Sequence, residues 1–137
     1  MEATTQTLES IKTEMESKQS QILKKFGVFF AYSDDQFTQN KTPKKEGDKY
    51  MSLGGGGYMP TSNLKSYLTE TSELRKWYKD QINRNKEIRR ANIAYELSNH
   101  ECYYTGSIEA AVSALGSDYT YKEVYKVYKK EAKAWQG

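Results

Sequence analysis

Apolar residues near the start of the chain recur at helical intervals. Leu8, Ile11, Met15, Ile22 and Leu23 fall on one stripe with Glu and Lys between them, and this spacing predicts an amphipathic helix over residues 5–25. The pattern changes at "FGVFFAY", residues 26–32. This β-branched and aromatic run is too short for a helix and is bounded by Gly27 and a polar cluster, so it predicts a mostly buried strand. Ser33 then stands where it can cap a single helical turn, with Gln36 in the return position of a capping box. Turn formers and lysines without periodicity make residues 39–48, "QNKTPKKEGD", a solvated loop. A second strand follows at "KYMSL", residues 49–53, with the length and flanks to pair antiparallel with residues 26–32.

After Pro60, Thr61 or Ser62 is placed to cap a long helix that carries Leu64, Tyr67, Leu68, Leu74, Trp77, Tyr78 and Ile82 at helical spacing. Ile88, Ile93 and Leu97 prolong the stripe, while Asn83 and Asn85 weaken helix propensity and predict a kink or short break near them. "SNHECYYTG", residues 98–106, reads as a turn. Ser107 opens a short helix with Ile108, Ala111, Val112 and Leu115 on one face and Gly116 as its left-handed stop. Thr120 and Glu123 form the two ends of a capping box that starts the last helix, residues 121 to about 135. The sum is an α+β protein in which a small antiparallel sheet, built from residues 26–32 and 49–58, is packed by long helices, with a C-terminal helical hairpin. One domain over residues 1–137 is expected, residues 1–25 forming an N-terminal helix suited to docking or oligomerisation.

Composition changes this picture in two ways. Hydrophobic residues make up only 36% of the chain, yet it holds twelve Tyr, four Phe and two Trp, so the core must lean on aromatic rings. The net charge of +3 is carried by the C-terminal part, since residues 61–137 hold thirteen bases against ten acids. That balance permits nucleic-acid binding without requiring it. Cys102 is the single cysteine, which excludes an intramolecular disulfide and fits a reducing cytoplasm. No apolar run approaches the roughly 20 residues that span a bilayer, and "MEATTQTLES" lacks the regions of a signal peptide. A cytoplasmic protein without a membrane partner is expected.

Three features bear on chemistry. Gly54, Gly55, Gly56 and Gly57 form an unbroken run between a strand and a helix start, where backbone N–H groups and the helix dipole can hold an anion. The Lys-Ser/Thr pair of a nucleotide-binding loop is missing, since Tyr58 and Met59 follow. A tight bend, where another backbone packs too closely for a side chain, is the plainer reading. His100 and Cys102 lie two apart with Glu96 and Glu101 nearby, too few ligands of the right kind for a zinc site. A satisfied turn histidine and a buried thiol are the plainer reading. The last helix carries Tyr121, Val124, Tyr125, Tyr128 and Trp135 on one stripe and Lys122, Lys126, Lys129, Lys130 and Lys133 on another, with Arg84, Lys86, Arg89 and Arg90 as a second basic patch. Such a stripe is usually core with a solvated face opposite, but a basic face beside aromatics also suits a protein or nucleic-acid partner. No catalytic signature is present, so neither catalytic residue, metal nor cofactor is expected.

The blocks "KFGVFFAYSDDQF", "GDKYMSLGGGGYMP", "YELSNHECYYTG", "SIEAAVSALG" and "YTYKEVYKVY", in this order over about residues 24–130, resemble an uncharacterised family of small proteins encoded by tailed phages and mobile elements of gut-dwelling Bacteroidota. Residues 5–23 lie mostly outside these blocks. The resemblance implies a small protein acting in a bacterial host's cytoplasm and carries over no catalytic residue. The expected function is a non-enzymatic binding protein that engages a host protein or ribonucleoprotein complex, for example as an anti-CRISPR-like inhibitor of a nucleic-acid-targeting defence system. The alternatives are RNA or single-stranded DNA binding through the lysine and tyrosine helix, and a nucleotide or other phosphate ligand at the glycine run.

Overall fold

The structure, a computed structural model, describes residues 7–136, with side chains to Lys133. The fold divides into two compact units, one spanning Glu9–Lys79 and the other the chain from Asp80 onward.

In the first unit, α1 (Leu8–Lys25) follows the predicted stripe; positions 5 and 6 of the expected span lie outside the described residues. The helix stops in a Schellman motif. Gly27, at φ +69°, donates to Lys24 O at 3.3 Å and Val28 donates to Leu23 O at 2.9 Å. Residues 26–28 are therefore spent on ending a helix, and the strand expected over 26–32 shrinks to β1 (Phe29–Phe30). Ser33 Oγ accepts from Gln36 N at 3.2 Å and starts α2 (Asp34–Asn40), while the Gln36 side chain accepts from Tyr32 N at 2.8 Å rather than from Ser33 itself.

The sheet corrects the expected pairing. β2 (Tyr50–Gly54) does not pair with β1; β3 (Gly57–Pro60) lies between them and is antiparallel to both. The cause is the glycine run, which turns the chain back on itself. Gly54 pairs with Gly57, and the two residues between them, Gly55 at φ +59° and Gly56 at φ +84°, are both left-handed. That is the type I′ turn, whose twist matches the strands it joins. Leu53 is the extra residue of a bulge between Ser52 and Gly54. Phe29, Phe37, Tyr50 and Tyr58 cluster on this sheet with ring centroids 5.1–5.6 Å apart, mostly edge to face, an arrangement worth about 0.5–1.5 kcal/mol per pair beyond burial.

A single 3-10 turn, Thr61–Asn63, leads into α3 (Leu64–Asn83). Neither Thr61 nor Ser62 caps it with a side chain. Instead Asp48, from the preceding loop, accepts from Ser62 Oγ at 2.6 Å and Ser62 N at 3.3 Å, and the Ser62 hydroxyl holds its carboxyl below the usual range. Between α1 and α3, Lys25 pairs with Glu70 at 2.7 Å and Lys18 lies 3.7 Å over the Trp77 ring.

In the second unit the break expected near Asn83 and Asn85 is present. Asn85 Oδ1 accepts from Glu87 N at 2.8 Å and Ile88 N at 3.3 Å and so starts α4 (Lys86–Asn99). After it come α5 (Cys102–Thr105), a single turn entered through Glu101 at φ +54°, α6 (Glu109–Leu115), and α7 (Tyr121–Gln136). The expected hairpin of α6 and α7 forms, and both helices also pack against α4. Ile93, Leu97, Cys102, Ile108, Ala111, Val124 and Val127 make the shared core.

Gly56 lends itself to test, because an added Cβ would collide with the Tyr32 ring on a left-handed backbone. Tyr32 is 75% exposed and can swing aside, so the backbone sets the cost. Gly56→Ala should destabilise by about 1–2 kcal/mol, and Tyr32→Ala in the same chain should restore little of it, as read by chemical denaturation.

Candidate binding face on the last helix

Thr120 and Glu123 sort the side chains of α7. Thr120 Oγ1 accepts from Glu123 N at 3.1 Å as predicted, which fixes the phase of the helix. Val124 and Val127 turn inward and Lys122, Lys126, Lys129, Lys130 and Lys133 are exposed. Of the two readings the aromatic stripe leaves open, core or outward face, Tyr121 and Tyr125 take the second and stand 55% and 43% exposed. The reason is size and chemistry, since two valines already fill the contact with α4 and a phenol keeps its hydroxyl in water. The Trp135 side chain lies outside those described.

The exposed rings are ordered. Tyr121 stacks on Tyr125 at 6.1 Å, Tyr125 on Tyr128 at 6.1 Å, and Tyr128 on Tyr103 of α5 at 5.5 Å, with interplanar angles of 16°, 23° and 10°. The Lys129 ammonium sits 5.6 Å from the Tyr125 ring, within cation–π range. Burial pushes the Tyr103 hydroxyl above its ordinary pKa.

Of the second basic patch, Lys86, Arg89 and Arg90 gather on one groove, and Arg84 does not line it. Arg84 pairs with Asp80 one turn back at 2.5 Å. Arg89 is a structural hub. Its Nε and Nη2 donate to Glu123 at 2.7 and 3.0 Å, Nη2 also donates to Asp118 O at 2.6 Å, Nη1 donates to Asn83 Oδ1, and the guanidinium lies 4.0 Å over the Tyr119 ring. These bonds take the Nε hydrogen, both on Nη2 and one of the two on Nη1, so Arg89 is committed chiefly to acceptors within its own fold. The hydrogen bonds from Arg89 hold the Glu123 carboxyl below its ordinary range against the opposing effect of burial, and the same bonds raise Arg89. The capping box expects the Glu123 carboxylate to reach back to the start of the helix; a glutamate at that position has two possible partners, and the arginine donates more strongly.

Arg90 keeps a looser pair with Glu131 at 3.3 Å. With Lys86 it forms one wall of a groove whose other wall carries Lys126 and Lys130 and whose floor is Ile93 and Val127, about 540 Å³ in volume. Sequence spacing puts these cations on two separate helices; their convergence depends on how α4 meets α7, and only the fold supplies that.

The glycine run lies elsewhere, at the hairpin tip. Gly54–Gly57 does not open a helix, so the helix-dipole half of the anion argument does not apply to it. Gly56 O accepts from Ala31 N at 2.9 Å and Gly55 O from Tyr32 Oη at 3.3 Å. Cys102 is fully buried in the core, and His100 Nε2 meets Glu96 across one helical turn at 3.2 Å. Among the described residues no three His, Cys, Asp or Glu side chains gather as metal ligands, and no helix is long and apolar enough to cross a membrane.

These helices and the hairpin lie within a stretch, residues 11–136, that matches a family of unknown function, DUF7659. The chain belongs to the DUF7659 family. The match takes in α1 from Ile11 on. No curated protein and no solved structure matches the chain.

Glu123 predicts a pH dependence with a definite sign. Because folding lowers its pKa, its contribution is present above the ordinary glutamate value of about 4.3 and is lost as the pH falls below it. The stability gap between the native chain and Glu123→Gln should therefore be open near neutral pH and close progressively in acid, as followed by urea denaturation. Arg89→Lys, which cannot reproduce the fork, should cost about 1–2 kcal/mol near neutral pH.

Proposed function

We propose that this DUF7659 protein is a non-enzymatic binding protein of phage or mobile-element origin, acting in the cytoplasm of a bacterial host. It engages a host protein or ribonucleoprotein through α7, for example as an anti-CRISPR-like inhibitor of a nucleic-acid-targeting defence system. The origin and setting rest on the resemblance of the ordered sequence blocks. The observation that carries the binding role is the tyrosine ladder: Tyr121 and Tyr125 are held in register by stacking, half-exposed, and flanked by lysines. Stacking fixes the rings before any partner arrives, which lowers the ordering cost of association, and tyrosine offers contact area with a polar tip.

The ladder also favours a second reading. Parallel rings beside cations are the elements used to hold single-stranded RNA or DNA, bases on the rings and phosphates on the lysines.

Affinity capture from bacterial lysate, with mass spectrometry and nucleic-acid detection, separates the two. The native chain should retain a discrete protein partner, and Tyr121→Ala with Tyr125→Ala should lose it while melting cooperatively; an empty capture with folded bait would count decisively against the proposal. If nucleic acid is retained instead, its affinity should fall steeply with salt, and Lys126→Glu with Lys129→Glu and Lys130→Glu should flatten that dependence by roughly 0.7 in slope for each phosphate no longer neutralised.

A further inference from the structure

The α4–α7 groove has a chemistry distinct from the tyrosine ladder. It is lined by five cations, Lys86, Arg89, Arg90, Lys126 and Lys130, and by one carboxylate, Glu123. Arg89 and Glu123 neutralise each other, and Arg90 leans on Glu131. Lys86, Lys126 and Lys130 are exposed and have no carboxylate partner among the described residues. The groove therefore faces outward with a surplus of positive charge that nothing described in the protein balances. Like charges gathered on two walls repel, and they are relieved by an acidic occupant.

We infer that this groove docks an acidic segment of a protein partner, its carboxylates on the two walls and an aliphatic side chain on the floor. The inference rests on the protein-partner reading of the preceding section and names the chemistry of that partner. Lys86 and Arg90 are four residues apart on α4, as are Lys126 and Lys130 on α7, so the cations on each wall repeat along the helix by about 6 Å. Alternate side chains of an extended peptide repeat by about 6.8 Å, close enough for flexible lysines to follow. The floor decides against nucleic acid. It consists of Ile93 and Val127, and the walls add the aliphatic stems of lysine and arginine. Bases call for planar stacking partners, and the stacked tyrosines 103, 121, 125 and 128 do not line this groove. Its volume of about 540 Å³ lies within the common range for a specific pocket, about 300–1,000 Å³.

The test is fluorescence anisotropy on the purified chain with three labelled probes: a peptide of repeating Glu-Glu-Leu, its Glu-Glu-Ser analogue, and an oligouridylate. The Leu peptide should bind, weaken with salt, and outbind the Ser analogue several-fold. Lys126→Glu with Lys130→Glu should weaken it by about tenfold or more. Lys65→Glu with Lys76→Glu, an equal charge change on exposed positions of α3, should leave binding nearly unchanged. Circular dichroism and a cooperative melt establish that each variant is folded. Equal loss in both double variants would reduce the effect to net charge and overturn the groove, as would preference for the oligouridylate or indifference to leucine. Absence of peptide binding, in a chain that still captures a host protein through Tyr121 and Tyr125, would overturn the groove alone and leave the parent proposal standing.

Discussion

The C-terminal unit is organised by one guanidinium. Arg89 reaches the end of α3 at Asn83, the turn before α7 at Asp118, the first turn of α7 at Glu123 and the face of Tyr119. Helices α4, α6 and α7 each bury only a few apolar side chains, Ile88, Ile93 and Leu97 on α4, Ala111 on α6, and Val124 and Val127 on α7. The shared core sets Ile93 and Leu97 of α4 against the smaller Val124 and Val127 of α7, an apolar contact without directional bonds of its own to fix the angle between the helices. A planar fork with several fixed acceptors determines it. The groove walls inherit their spacing from that angle, so a residue committed to bonds within its own fold still sets the shape of the surface beside it.

The N-terminal unit solves the shortage of aliphatic residues differently. Its strands are short, and a two-residue β1 contributes little pairing of its own. What holds the sheet is a knot of rings on one face, Phe29, Phe37, Tyr50 and Tyr58, with fully buried Met59, next to Tyr58 in β3, turned to the other face, together with side chains that tie down loop backbone. Thr42 donates to Gly27 O, Tyr50 donates to Thr42 O, Asn40 donates to Phe30 O, and Asn63 donates to Phe26 O. Each of these satisfies a backbone carbonyl by a side chain.

Helices are the legible part of the sequence. The α1 stripe, the break at Asn85, the Gly116 stop and the Thr120 cap all follow from local rules, and local rules need only local residues. The sheet is less legible because the same signals have two readings. Gly27 bounds a strand or ends a helix, and four glycines in a row make a corner before a helix or a hairpin turn; which holds depends on whether "GYMP" finds a neighbour on both sides. The candidate face is legible in part. The lysines of α7 are exposed as their spacing implies, while Tyr121 and Tyr125 escape the core because hydrophobic periodicity does not distinguish a ring that packs inside from a ring that packs on another ring at the surface. Arg89 looks like one of several surface cations, since its partners at positions 83, 118, 119 and 123 are brought to it only by tertiary packing.

Cys102 has a consequence of a different kind. It is the single thiol of the chain and is wholly inaccessible, packed where α4, α5, α6 and α7 converge. A thiol reagent can reach it only when that unit opens, so the rate of its modification is a clock for the opening events themselves. The protein thus carries its own reporter of internal motion, one that reads the frequency with which the core comes apart without any label being introduced.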